Sequence, residues 1–413
     1  MIRSFTTNPA QGISTVHPLT GLGSALPMQW FRSCWPGSVG WLHESRLVQR
    51  WSRCLVILLW VSMAGGCLVE AAQREAPPRV VLRDVPRVQF RGGNSPAPEK
   101  PGETDCNSPL HWDGATLHLF NSAGHPWRST GSDLFHLDQS YVRCEYNNRT
   151  NGGRWIECTW KEPHGPLYGW YHFEPAGLVP GTGLTAPRIG AARSRDNGAT
   201  WEDLGVVLEA PAGTLNPSTR NFYFAGGNGD FSILLDARKR HLYFFFSAYA
   251  GKPSDQGVAI ARMAWKNRDA PVGKVYKWHH QAWHEPGLGG AVTPVFPASV
   301  DWHAADADAY WGPSLHWNHH LRQYVMLLNR AVDKDWTQEG IYISFNRNLT
   351  DPGGWSTPRK ILGDLRKDQW YPQIVGLDAA RRETDKLAGC EARLFVRGES
   401  RWEMRFLKRA EAP

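Results

Sequence analysis

From about residue 105 to the end, the chain repeats one event: an extended segment, a turn, an apolar strand rich in β-branched or aromatic residues, and another turn. Helical periodicity is almost absent. After Asp230 the segments FSILLDA, HLYFFFSAY, GVAIARMAW and KVYKWHHQAW read as four strands in succession. GPSLHWN, QYVMLLNRA, EGIYISF and WSTPRKIL repeat the same logic further on. Upstream, SPLHWD, TLHLFNSAG and SDLFHLDQSYV form one group, and RWIECTW, LYGWYHFEP, PRIGAARS and WEDLGVVL another. YPQIVGLD, ARLFVRG and RWEMRFLKR make a fifth group that lacks a fourth strand. A strand from the 79–90 region can complete it and close a ring. The pattern predicts an all-β fold, a five-bladed β-propeller of four-stranded antiparallel blades over 105–413, because radial repetition leaves few exposed sheet edges. A large β-sandwich is the competing architecture.

Composition removes other classes. Among 413 residues, 41 Gly and 29 Pro break any heptad long enough for a coiled coil. The 21 tryptophans suit blade packing and sugar rings equally well. The net charge of +7 is dispersed, with Arg238-Lys239-Arg240 the one basic run longer than two, so nucleic acid is not an expected partner.

Residues 1–72 read as an N-terminal extension and signal peptide, and 73–104 as a linker with the ring-closing strand. Arg46, Arg50 and Arg53 precede an apolar stretch from Cys54 to Met63 and then small residues, the grammar of a secretory signal too short for a comfortable span. The mature chain is expected to be secreted or periplasmic, a monomer, with no stable membrane insertion after signal cleavage. Lipid anchoring at Cys67 and an uncleaved anchor helix are the alternatives. Four cysteines remain, Cys106, Cys144, Cys158 and Cys390; they allow three pairings, and none has a zinc-ligand spacing.

In a propeller the innermost strand of each blade runs along the central channel, and its start lines the funnel where ligands bind. The polar residues at those starts are Asp105 and Asn107, then Glu157, Asp230, Ser314 with His316, and Tyr371 with Gln373. Glycoside hydrolysis needs one protonated and one ionised carboxyl group. Glu157 stands in an apolar run that would raise its pKa, which suits a general acid; it would equally suit an inward Glu paired with an Arg. Asp230, after Gly226-Gly227-Asn228-Gly229, and Asp105 are candidates for base or nucleophile, or turn caps. Trp170, His172 and Glu174 alternate on one face of a strand, a sugar platform with Glu174 and His172 as modulators, or an inter-blade network. Trp311, His316, Trp317, Asn329 and Arg330 repeat the aromatic-plus-polar theme. No G-x-S-x-G, P-loop or H-E-x-x-H occurs. No cofactor is expected and no metal ligands are assigned, although Asp301, Asp306 and Asp308 resemble a loose calcium loop and a structural calcium ion there or in the channel stays open.

Ser194-Arg195-Asp196-Asn197-Gly198-Ala199-Thr200-Trp201 matches the S-x-D-x-G-x-T-W pattern called an Asp box in sialidase-like propellers. With the blades placed, the chain resembles the exported five-bladed propeller glycosidases, the broad group of glycoside hydrolase families 32, 43, 62 and 68 and related arabinanases. Over roughly 105–407 it also resembles an uncharacterised bacterial propeller family, on Trp155-Ile156-Glu157, Tyr168-Gly169-Trp170-Tyr171-His172-Phe173-Glu174-Pro175, Trp311-Gly312-Pro313-Ser314-Leu315-His316-Trp317-Asn318 and Trp370-Tyr371-Pro372-Gln373. The glycosidase resemblance implies a carbohydrate substrate cleaved by paired carboxylates. A non-catalytic carbohydrate-binding propeller is the alternative, and a polysaccharide lyase, with Arg128 and Arg330 pairing a uronate, is a further one.

Overall fold

The computed structural model describes residues 77–90, 104–137, 140–363, 365 and 369–408. The leader segment, Cys67 and most of the linker lie outside the described residues. Within them the chain forms a five-bladed β-propeller.

Blade one comprises Leu110–Asp113, Thr116–Ser122, Pro126–Gly131 and Ser140–Arg143. Blade two comprises Gly152–Lys161, Leu167–Pro175, Arg188–Ser194 and Thr200–Leu208, with Glu145–Tyr146 parallel to the last of these. Blade three runs Asn228–Leu235, His241–Ala248, Gly257–Ala264, Val275–His279 and Ala282–Pro286, with Phe296–Pro297 added on Gly257–Ala264. Blade four runs Ala309–Asn318, Gln323–Ala331, Gln338–Asn346 and Arg359–Leu362, with Leu387–Ala388 parallel to its inner strand. Blade five takes Pro372–Gly376, Glu391–Val396 and Glu399–Leu407 from its own stretch of chain. Its outer strand is Arg79–Gln89, antiparallel to Glu399–Leu407.

The strand pattern of blade one differs from the sequence expectation. SDLFHLDQSYV is not one strand: the Asp133 carboxylate accepts the amide hydrogens of Phe135 (2.8 Å) and His136 (3.1 Å), folding that stretch into a turn. Pro126–Gly131 supplies the third strand instead.

Period-two alternation builds the core, one cluster per pair of neighbouring blades. On His241–Ala248, Leu242, Phe244 and Phe246 pack toward blade two with Trp170, Phe231 and Ile233. The intervening Tyr243 and Phe245 pack toward blade four with Met326, Leu328 and Trp355. Blades four and five meet through Val325, Leu327, Leu394, Met404 and Phe406. Phe90, Leu117, Leu119 and Phe395 close blade five on blade one, and Phe120, Ile156, Tyr171 and Trp201 join blades one and two. Trp201 follows the turn at 194–200, which is tied by Ser194 Oγ to Asp196 (2.7 Å), Thr200 Oγ1 to Asp196 (2.7 Å) and the Gly198 amide to Ser194 Oγ (2.8 Å). Cys106, Cys144, Cys158 and Cys390 are all free thiols.

Candidate active site

The inner strands of blades two, three and four end in regular pairing but are irregular nearer their starts. Pairing slips between Ile156 and Cys158, between Gly229 and Phe231, and between Trp311 and Ser314. Each slip is a β-bulge, which turns a side chain out of the alternating pattern. The first two bulges carry Glu157 and Asp230. Asp230 has φ +39° and Tyr371, just before the inner strand of blade five, φ +57°, both left-handed and costly for residues with a Cβ. Gly227 makes the approach to Asp230 feasible, since a Cβ there would lie 2.5 Å from the nitrogen of Pro187.

Glu157, His172 and Asp230 meet at the level of the bulges, each only 3 % exposed. Glu157 Oε2 accepts the amide hydrogen of Phe231 (2.7 Å). The Asp230 amide donates to His172 Nδ1 (3.0 Å), and His172 Nε2 lies 3.1 Å from Glu174 Oε1. An amide can only donate, so Nδ1 is an acceptor and the ring is the Nε2–H tautomer, its hydrogen directed at Glu174. Burial alone would lower the imidazole pKa. Glu157, Glu174 and Asp230 overcome it and hold the ring well above the usual histidine range. A second proton on Nδ1 therefore competes with the Asp230 amide, and Glu157 Oε1, 3.5 Å away, is its natural partner. Burial also raises Glu157, opposed by the neighbouring His172 and by the Phe231 amide. It raises Asp230 to about 7, aided by the Glu157 charge and opposed by His172. Tyr249 donates its hydroxyl to Asp230 Oδ2.

One oxygen or nitrogen from each of Glu157, His172 and Asp230 lies within 4.8 Å of the others, the one metal-competent group among the described residues. A cation taking Nδ1 would have to displace the Asp230 amide. Asp301 and Asp308 are engaged elsewhere: Asp301 Oδ1 accepts from Gln256 (2.8 Å) and the His303 amide (2.8 Å), and Asp308 pairs with Arg330 through two bonds of 2.8 Å.

Above this buried layer opens a pocket of about 550 Å³. Asp105 and Glu174 stand on its wall with Trp155, Phe224, Trp336, Trp370 and Tyr371; Glu157, His172 and Asp230 do not. From the wall, Phe224, Trp336, Trp370 and Tyr371 continue inward into Tyr249, Trp302 and Trp311, one buried aromatic cluster. Loop 220–224 is fixed by Asn221, whose Oδ1 accepts the amides of Tyr223 (2.8 Å) and Phe224 (3.0 Å).

The other sequence candidates are spread around the channel. Asn107 crosses it, donating to the carbonyls of Phe231 and Pro313 (3.1 Å each). Gln373 ties blade five to blade one by accepting the Ser108 amide (2.8 Å) and donating to its carbonyl (2.5 Å). Asn329 Oδ1 accepts the Tyr371 amide (3.1 Å) and holds that strained residue in place. Trp311 is sealed within the aromatic cluster, and Trp170 packs edge-on against Phe244. His316 is buried beside Phe406, and burial lowers its pKa to about 3. Trp317 stands at the far end of its strand and lines a different cavity. Arg128 donates to the carbonyls of Asp196 (2.8 Å) and Asn197 (3.0 Å). Sequence reasoning had not assigned Trp155, Phe224, Trp336 and Trp370 to the site. The aromatic run 222–224, directly before the glycine-rich approach to Asp230, was the available signal.

No family model matches the chain, and no curated protein matches it. Among solved structures, it is similar to an α-L-arabinofuranosidase from Lactobacillus brevis, at 12% identity over 73% of this chain and 90% of that one, with a TM-score of 0.46. Arabinanase Arb43A from Bacillus subtilis is 11% identical over 78% of this chain and 97% of that one, with a TM-score of 0.42. An exo-β-1,3-galactanase from Phanerochaete chrysosporium, solved with galactose, is 12% identical over 74% of this chain, with a TM-score of 0.43; the match spans 61% of that protein.

Proposed function

We propose that the protein hydrolyses a glycosidic bond of a polysaccharide or oligosaccharide in the pocket at the strand starts. The observation that carries this reading is that two carboxyl groups, Asp105 and Glu174, face a single pocket of about 550 Å³ walled by indole and phenol rings. Aromatic faces take the apolar faces of sugar rings. One carboxyl group protonates the leaving oxygen while the other serves as base or nucleophile at the anomeric centre. His172 is a positioning residue: its Nε2–H, present in the neutral and the protonated ring alike, orients Glu174. Glu157 and Asp230 act from below, as groups that set the ring's protonation rather than as groups touching the sugar.

The test is release of reducing ends from a glycan panel by the parent, Asp105→Asn and Glu174→Gln. The variant lacking the acid keeps turnover on aryl glycosides with good leaving groups, whereas the variant lacking the base or nucleophile regains turnover with azide. Full loss in Glu157→Gln with both pocket variants active would move the chemistry to the buried layer. An unsaturated uronate product would make the protein a lyase, and sugar binding without turnover a lectin.

A further inference from the structure

A second cavity, of about 640 Å³, lies at the other mouth of the channel, where the inner strands end. Its wall comes from the ends of the inner strands at Trp112, Trp160, Leu234 and Trp317, and from the 382–387 segment that follows the inner strand of blade five. This size holds one small organic molecule. The wall combines apolar and indole surface with polar side chains, among them His111, Asp113, Thr159, Lys161, Arg382 and Lys386.

Some of those groups are under-used. The Thr159 hydroxyl and both ring nitrogens of His111 are buried and find no partner among the described residues. Buried polar atoms normally have one. Lys386, nearly buried, has Asp385 Oδ2 as the one partner of its ammonium group among the described residues (2.5 Å), which leaves ammonium hydrogens to spare. Lys161 Nζ donates to the Gly165 carbonyl (2.8 Å) and stands 3.8 Å from Asp113. The wall's carboxylates are more fully occupied: Asp113 also accepts from Asn197 (2.6 Å), and Glu162 pairs with Arg268 (3.5 Å). Burial opposes the Lys386 charge, but Asp385 beside it prevails and keeps the amine protonated. The cavity thus offers indole walls and spare cationic donors.

We propose that this cavity binds a compact amphipathic anion, an aromatic carboxylate whose ring lies between Trp112, Trp160 and Trp317 and whose carboxylate is taken by Lys161 and Lys386. A neutral sugar fits less well, because it brings no charge to the ammonium groups of Lys161 and Lys386. A carboxylate on a flat ring satisfies the ammonium groups at one end and fills the apolar space with the other. Thr159 and His111 are the further donors and acceptors within the wall. The site does not depend on what happens at the opposite mouth.

The probes are 2-naphthoate and its neutral counterpart 2-naphthalenemethanol, titrated into the full chain by calorimetry and tryptophan fluorescence. One saturable site is expected, with the anion bound roughly tenfold tighter than the alcohol or better. Lys161→Met cuts that preference severalfold, Lys386 and Arg382 remaining on the wall, and leaves the affinity for the alcohol unchanged; Trp160→Ala weakens both. Lys386→Met should act like Lys161→Met where it folds, and Lys161→Met alone decides the matter where it does not. No saturation at millimolar probe overturns the proposal. So does equal affinity for the two probes, or binding lost in Trp155→Ala and kept in Trp160→Ala.

Discussion

The same inner strands build both mouths of the channel, yet only one mouth is irregular. At the starts, bulges at Glu157 and Asp230 and left-handed backbone at Asp230 and Tyr371 turn polar groups toward a small, rigid centre. At the ends, pairing is regular: Leu110–Asp113 keeps its register with Thr116–Leu119, as Thr159–Lys161 does with Leu167–Gly169. Regular strands stand their side chains out in alternation, and the result is a wide vestibule of indole and apolar surface set with charged side chains. Precision in this fold comes from broken pairing, and volume from intact pairing.

The contrast can be broken by experiment. The largest effect is expected for Glu174→Gln, which should lower kcat/KM about 10³-fold with an unchanged circular dichroism spectrum. A loss of only a few-fold would detach the chemistry from the irregular mouth. Phe244→Ala, in regular pairing between blades two and three, should cost about 3–5 kcal/mol in denaturant unfolding and leave KM alone.

Asp230→Asn tests whether the irregular mouth stores instability. The carboxyl titrates at about 3.9 in an unfolded chain and at about 7 here. Between those values the folded state holds more protons than the unfolded one, so stability from this group falls as pH rises and stays low above 7. The substitution should therefore raise the melting temperature at pH 8, by on the order of 1–4 kcal/mol of stability, and scarcely change it at pH 4. A gain equal at both pH values would mean that the backbone and not the charge is relieved. Smallest of all, Arg83→Ala removes a largely exposed pair with Glu403 and should shift unfolding by less than about 1 kcal/mol.

Legibility in the sequence divides along the same line. Regular alternation made the blades readable, because a strand such as HLYFFFSA has only one way to bury both faces. Blade one was harder, since the Asp133 turn interrupts an apolar run that reads as continuous. Asp105, Glu157, Asp230 and Tyr371 were visible as polar residues at strand starts. Their different depths were not, because bulges decide which of them reaches the pocket. Trp311 and Trp317 looked like parts of one aromatic set, but six residues of strand put them about 20 Å apart, at opposite mouths. Trp336 and Phe224 come from loops, and nothing local announces where a loop will be folded back.

The pairing of Arg79–Gln89 with Glu399–Leu407 has a temporal consequence. A chain emerging from the ribosome makes the outer strand of this blade before its partner and cannot pair it until more than three hundred further residues have been made. Until then that strand has an unfilled ladder of hydrogen bonds on the side that Glu399–Leu407 will take. Emergence of Glu399–Leu407, rather than folding of any earlier blade, is the event that seals the ring.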